Sequence, residues 1–252
     1  MTVHLEHRKD GVAVVSMCND RTKNAMTPRL VTELLSAIRE AARAPSSKAI
    51  VLQGLPEVFS SGASPDLLRA FSRGELAPTE ISLPRVLLDL PVPLIAAMEG
   101  HAIGGGLALG LCADIVVIAR ESRYGATFMD FGFTPGMGTT QLLFHVVSPA
   151  IAFEMLLTGE PKKGTSFVGA SGFNAILPRA GVMPHALALA ERIADKPRLP
   201  LEVLKRTLAM RRRRAFEETY TTETLMHHAT FGQQEVLMRI EERGAEAANG
   251  RK

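Results

Sequence analysis

The glycines at 62 and at 104 to 106 are where the chemistry of this chain would sit. Phe59-Ser-Ser-Gly-Ala-Ser-Pro-Asp opens a helix through Leu67, Leu68 and Phe71. Further on, the apolar run Leu94 to Met98 leads through Gly100 to Gly104-Gly105-Gly106, a buried-helix pattern (LALGLCAD) and a second apolar run, Ile115 to Ala119. Glycine lets a ligand approach the backbone closely, and the first N–H groups of a helix have no carbonyl partner and lie at the positive end of its dipole. Two such turns in series imply parallel strand pairing and two backbone donors that converge on one ligand atom, the requirement for holding an oxyanion. There is no G-x-G-x-x-G and no G-K-[ST] closing a phosphate loop, so nucleotide readings of these glycines are rejected.

Side chains able to move protons beside such a site are scattered. His101 lies in the glycine joint and reads as a buried, hydrogen-bonded histidine. His227 and His228 fall in a C-terminal helical pattern, where a lone histidine is ordinarily structural or solvated. Phe128, Phe131 and Phe133 either line an acyl pocket or pack in the core, and Tyr124 is expected against the site wall.

The elements that must position these groups follow from periodicity and caps. Val3 to Met17 alternates about Asp10-Gly11, predicting a β-hairpin. Thr27 and Pro28 start a helix whose apolar face is Leu30, Val31, Leu34, Leu35 and Ile38, and residues 48–53 form a buried strand. Ser72 to Glu80 is polar with Gly and Pro and reads as a mobile loop, a possible lid, before a helix around Ile81 to Leu90. Helices are predicted over 141–147, 149–157, 182–193 and 200–243, with a weak helix near Gly169 and a short strand over 174–177. Residues 1–195 form the α/β core and residues 196–252 a C-terminal helical region.

Hydrophobic content of 46% over 252 residues supports a globular chain with a substantial core. No apolar stretch approaches the roughly 20 residues that cross a bilayer, and the charged N-terminus is unlike a signal peptide, so a cytoplasmic protein is expected. Cys18 and Cys112 lie in apolar segments and are expected to be reduced packing residues, and no metal-ligand cluster is visible. The net charge of +3 is too small for a general nucleic-acid binder. Positive charge does gather in Lys205, Arg206 and Arg211 to Arg214, either as a solvated helix face or as a docking surface for an acidic partner.

Taken together, Lys23-Asn24-Ala25-Met26-Thr27, the Phe59 to Ser64 turn, PVPLIAAMEGHAIGGG, Ala113-Asp114-Ile115 and Thr134-Pro-Gly-Met-Gly138 resemble the crotonase (enoyl-CoA hydratase/isomerase) superfamily over nearly the whole chain. The resemblance implies a ββα superhelix with a C-terminal α-helical trimerisation region, a homotrimer or dimer of trimers, and an acyl thioester as substrate with no further cofactor. It assigns the oxyanion hole to the backbone N–H groups of Ala63 and Gly105. It also places Lys23 near the pantetheine and nucleotide end of the substrate. Hydratases of the family use two glutamates as acid and base, whereas the matching positions here are Ala108 and Phe128; Asp130 is two residues out of place.

Within the superfamily, the segments Phe128 to Gly138 and Leu225-Met-His-His-Ala-Thr-Phe resemble the decarboxylases of polyketide β-branching, which act on a glutaconyl group carried by an acyl carrier protein. That resemblance implies loss of CO₂ to a dienolate held by Ala63 and Gly105, with His227 as the proton donor and His228 as its neighbour in register. Members commonly place a lysine in the lid loop against the leaving carboxylate. Ala77 falls there, no lysine lies between Lys48 and Lys162, and Arg69 or Arg73 would have to supply the charge. The second reading is an enoyl-CoA isomerase or hydratase with relocated acid–base groups.

Overall fold

Asp10 and Gly11 turn the chain between β1 (Val3–His7) and β2 (Val12–Met17), an antiparallel pair that forms one edge of a six-stranded sheet. The structure is a computed structural model that describes residues 1–77 and 83–248, with residues 244–248 by backbone only. The far end of the expected lid loop and the start of the helix after it, residues 78–82, therefore lie outside the described residues.

Helix α1 (Pro28–Arg43) begins as its caps predict, the Thr27 side chain accepting the Leu30 N–H with proline in the first turn. It buries Leu30, Leu34 and Ile38, each worth about 1.5–3 kcal/mol when fully removed from water. Strands β3 (Ala49–Gln53), β5 (Leu94–Met98), β7 (Ile115–Ala119) and β10 (Ala175–Leu177) then extend the sheet in parallel, in the order β1-β2-β3-β5-β7-β10. After β3, β5 and β7 the chain crosses to a second sheet, where β4 (Val58–Ser60), β6 (His101–Ile103) and β8 (Arg123–Gly125) pair in parallel. An antiparallel β9 (Lys162–Lys163) closes it. Helices α2 (Pro65–Ser72) and α4 (Gly105–Leu111) follow β4 and β6, so strand, strand and helix wind as successive turns.

Several details differ from expectation. The joint between Gly100 and Gly104 contains β6, which three residues between glycines are too few to signal. The helix expected over 141–147 is one turn, α5 (Thr139–Leu142), continued as a 3-10 turn, and the segment near Gly169 is a 3-10 turn at Gly164–Phe167. Cys18 is exposed rather than packed, whereas Cys112 is buried. Tyr124 is buried between the sheets: its hydroxyl donates to the Met98 carbonyl and accepts the Ala119 N–H, and its ring meets Phe167 and Phe173. It ties the two sheets together behind the glycine joint, where the next residue, Gly125, accepts the Gly104 N–H.

Helix α3 (Leu83–Leu88) lies against α1 and α4, and α6 (Pro149–Thr158) against the 3-10 turns Met129–Phe131 and Leu143–His145. Helix α7 (Arg179–Ala194) covers the outer face of the large sheet with Val182, Ala186, Ala190 and Ala194, at four-residue spacing. Helix α8 (Arg198–Thr230) runs past α3 and α5, and α9 (Gln234–Ala248) returns over α2. Among the described residues no helix is long and apolar enough to cross a membrane.

Candidate active site

Two short backbone segments meet where the glycine turns predicted. Met26 bridges the Gly62 turn in parallel, its N–H donating to Gly62 O at 2.7 Å and its carbonyl accepting Ser64 N–H at 3.2 Å. Between two residues so engaged, the Ala63 N–H faces away from Met26. Gly105 is the first residue of α4, after Gly104 at φ 54 and ψ −121, a conformation reserved to glycine. Among the described residues neither the Ala63 nor the Gly105 N–H enters a hydrogen bond. The two turns touch, since a Cβ added to Gly62 would lie 3.5 Å from the Gly105 nitrogen.

What holds the first turn is a residue quoted for its motif and not for its bonds. Asn24 is fully buried, accepts the Asn19 N–H, and donates its amide to the carbonyls of Met17 and Phe59. Ser60 Oγ donates back to Asn24 O. Lys23 is exposed beside it and pairs with Asp20 at 3.2 Å, while its carbonyl accepts the Ser61 N–H. Its ammonium is thus at the rim of the turn.

His227 is 8% exposed, and its Nε2 lies 3.0 Å from the Thr134 carbonyl oxygen. A carbonyl only accepts, so in the neutral ring Nε2 carries the hydrogen. Burial pushes the imidazole below its ordinary pKa, and the Thr134 and Pro135 carbonyls partly restore it. A Cβ on Gly136 would fall 2.4 Å from the ring's Cε1, so the turn and the imidazole are in direct contact. The next residue, Met137, brings its sulfur within 3.4 Å of a Cβ position on Gly105. Thus His227 and the Gly105 N–H flank the same turn. His228, one residue on, is exposed.

The wall around the histidine is aromatic. Phe231 meets the His227 ring at 5.1 Å and stacks on Phe133 at 4.3 Å; Phe128 and Phe131 in turn pack on Phe133, and Phe71 on Phe231. The charged candidates lie less favourably. Arg69 already pairs with Asp66, and Arg73 is exposed with Glu75 at 3.9 Å. Asp130 faces α9, where Arg243 reaches it at 3.4 Å. His101 is half-buried and accepts the Arg123 N–H at Nδ1. Among the described residues no His, Cys, Asp or Glu cluster could hold a metal.

The profile of the enoyl-CoA hydratase/isomerase family matches residues 7–246. The chain belongs to that family. It is 37% identical over 238 residues to the bacillaene synthase decarboxylase PksI of Bacillus subtilis, covering 94% of this chain and 96% of the relative. A solved structure from a dehydratase/decarboxylase enzyme couple involved in polyketide β-branching superposes with a TM-score of 0.92 at 37% identity, covering 96% of this chain and 98% of the other. The ECH2 decarboxylase domain of CurF from Lyngbya majuscula gives 0.88 at 35% identity, covering 96% and 99%.

The two positions that the sequence resemblance sets against the hydratases' glutamates are apolar in the structure. Ala108 is fully buried in α4, and Phe128 is 8% exposed within the aromatic wall. Neither can carry a proton.

Proposed function

We propose that this enoyl-CoA hydratase/isomerase family member decarboxylates a 3-methylglutaconyl-type enoyl thioester on an acyl carrier protein during polyketide β-branching. The observation that carries the reading is a single buried histidine facing the turn beside Gly105, in a wall of phenylalanines, with Ala108 and Phe128 replacing both acid–base glutamates. The C–C bond to the carboxylate breaks and CO₂ leaves. Its electron pair stays in the chain and spreads through the alkene to the thioester oxygen, where the N–H groups of Ala63 and Gly105 stabilise the dienolate. An oxyanion donor of this kind is typically worth about 10²–10³ in rate. His227, as an imidazolium that keeps its Nε2–H on the Thr134 carbonyl, then gives its second ring proton to carbon and is left neutral.

Because the conjugated thioester is itself the electron sink, the mechanism calls for no additional cofactor. The apolar wall of Phe128, Phe131 and Phe133 disfavours the charged carboxylate and favours neutral CO₂. Lys23 would contact the pantetheine end, and Arg69 or Arg73 the leaving carboxylate once freed from Asp66 or Glu75. The reading includes a cytoplasmic enzyme and a homotrimer, or a dimer of trimers, built through the C-terminal helices. Exposed Leu199, Val203, Leu204 and Leu208 on α8 support such a contact. The test is incubation with 3-methylglutaconyl carrier protein followed by intact mass: loss of CO₂ supports the reading, whereas water addition or double-bond migration alone replaces it with a hydratase or isomerase.

A further inference from the structure

Glu223 is a buried carboxylate, 3% exposed, that the mechanism above does not use. It accepts the Gly138 N–H at 2.7 Å, the Thr140 N–H at 3.1 Å and the Thr140 hydroxyl at 2.7 Å. Burial holds its pKa above the ordinary carboxylate range, against the pull of those three donors. Gly138 has no side chain with which to cap α5, so the cap is supplied from α8 across a separation of 85 residues. The contacts then run in order along α8: Phe216 against Gly138, Glu223 on Gly138 and Thr140, His227 against Gly136 and Thr134, and Thr230 on Thr134. These positions share one helix face, and Glu223 stands four residues, about one turn, before His227.

We propose that Glu223 is a positioning residue that holds the Thr134–Gly138 turn so that His227 is aimed and fixed in one tautomer; this rests on His227 being the proton donor. The Phe216 contact is a wedge without direction, and the Thr230 bonds are long, at 3.3 and 3.5 Å. The short bonds to Glu223 anchor the end of the turn, at Gly138 and Thr140, from which the Thr139 hydroxyl reaches back to the Gly136 carbonyl at 2.6 Å. Since Met137 of that turn rests on Gly105 as well, the same carboxylate sets the spacing between the acid and the oxyanion donor. It is not itself the acid: its two oxygens are engaged by Gly138 and Thr140, one turn of α8 away from His227.

The test is Glu223→Gln, which keeps the volume but turns an amide N–H toward the Thr140 N–H. Turnover should fall about 10- to 100-fold, as small misplacements of a reacting group do, with KM within about twofold of wild type. Histidine ¹⁵N spectra should show His227 as the Nε2–H tautomer in the wild type and as a mixture in the variant, a change that loss of stability alone does not cause. Thr140→Val removes one donor and should show the same two changes to a smaller degree, and Thr140→Ser should restore both. A folded Glu223→Gln protein with wild-type turnover, or with lowered turnover and an unchanged tautomer, overturns the proposal. If Glu223→Gln does not fold, Thr140→Val decides by the same criteria. His227→Ala assayed alongside keeps the readings apart: full activity there removes His227 as the acid, while the tautomer measurement still judges Glu223.

Discussion

If His227 is the proton donor proposed above, it is a small part of the core and a large part of the rate. His227→Ala should therefore leave folding nearly intact and slow CO₂ release by about 10²- to 10⁴-fold, measured by intact mass of the carrier-bound product. If His228→Ala loses activity instead, the proton comes from the exposed neighbour. The depressed pKa of His227 also has a thermodynamic sign. Below its ordinary value the unfolded chain takes up a proton that the folded chain refuses, so stability present above about pH 6.5 declines as pH falls through the folded pKa. Wild-type Tm should thus drop as pH falls below about 7 more steeply than that of His227→Gln. At the glutamate positions, Ala108→Glu combined with Phe128→Glu should lower Tm sharply and yield no robust hydration of crotonyl-CoA, because two carboxylates would enter a site with no partners for them. Efficient hydration at unchanged Tm would show a more polar pocket.

At the scale of elements, the site is two turns and one seam. Asn24→Ala strips partners from the Asn19 N–H and from the Met17 and Phe59 carbonyls, and should cost about 2–4 kcal/mol in urea titration with an unchanged m-value. Local chemistry was readable along the chain: Thr27-Pro28 marks the start of α1, and Gly62 and Gly104 mark their turns, because capping and left-handed backbone need only neighbouring residues. The second sheet was not, since β4, β6 and β8 have three residues each, and it was expected only through the family resemblance. The roles of Asn24 and Glu223 were equally hidden. Glu223 finds Thr140 and Gly138 at separations of 83 and 85 residues, and a glutamate in a helical pattern has the outward look of a solvated charge.

For the whole molecule, the arginine run divides once it is folded. Arg212 reaches the Leu111 carbonyl and Asp114, and Arg213 pairs with Asp89 at 2.6 Å, so neither is a free docking charge. Arg212→Glu would set a carboxylate beside Asp114 and should weaken the fold, with equal losses on every substrate. Arg211 and Arg214 are exposed and carry no ion pair among the described residues. If a carrier protein docks there, Arg211→Glu with Arg214→Glu should raise KM for the carrier-bound substrate, more so at low salt, and spare a short pantetheine thioester. Helix α8 itself has 33 residues and so extends about 50 Å, with bare leucines at its start and His227 near its end. One continuous helix thus joins that exposed apolar end to the turn at Thr134. If a second copy covers Leu199 and Leu208, as in the proposed trimer, dilution that strips this cover should lower specific activity before any loss of secondary structure is seen.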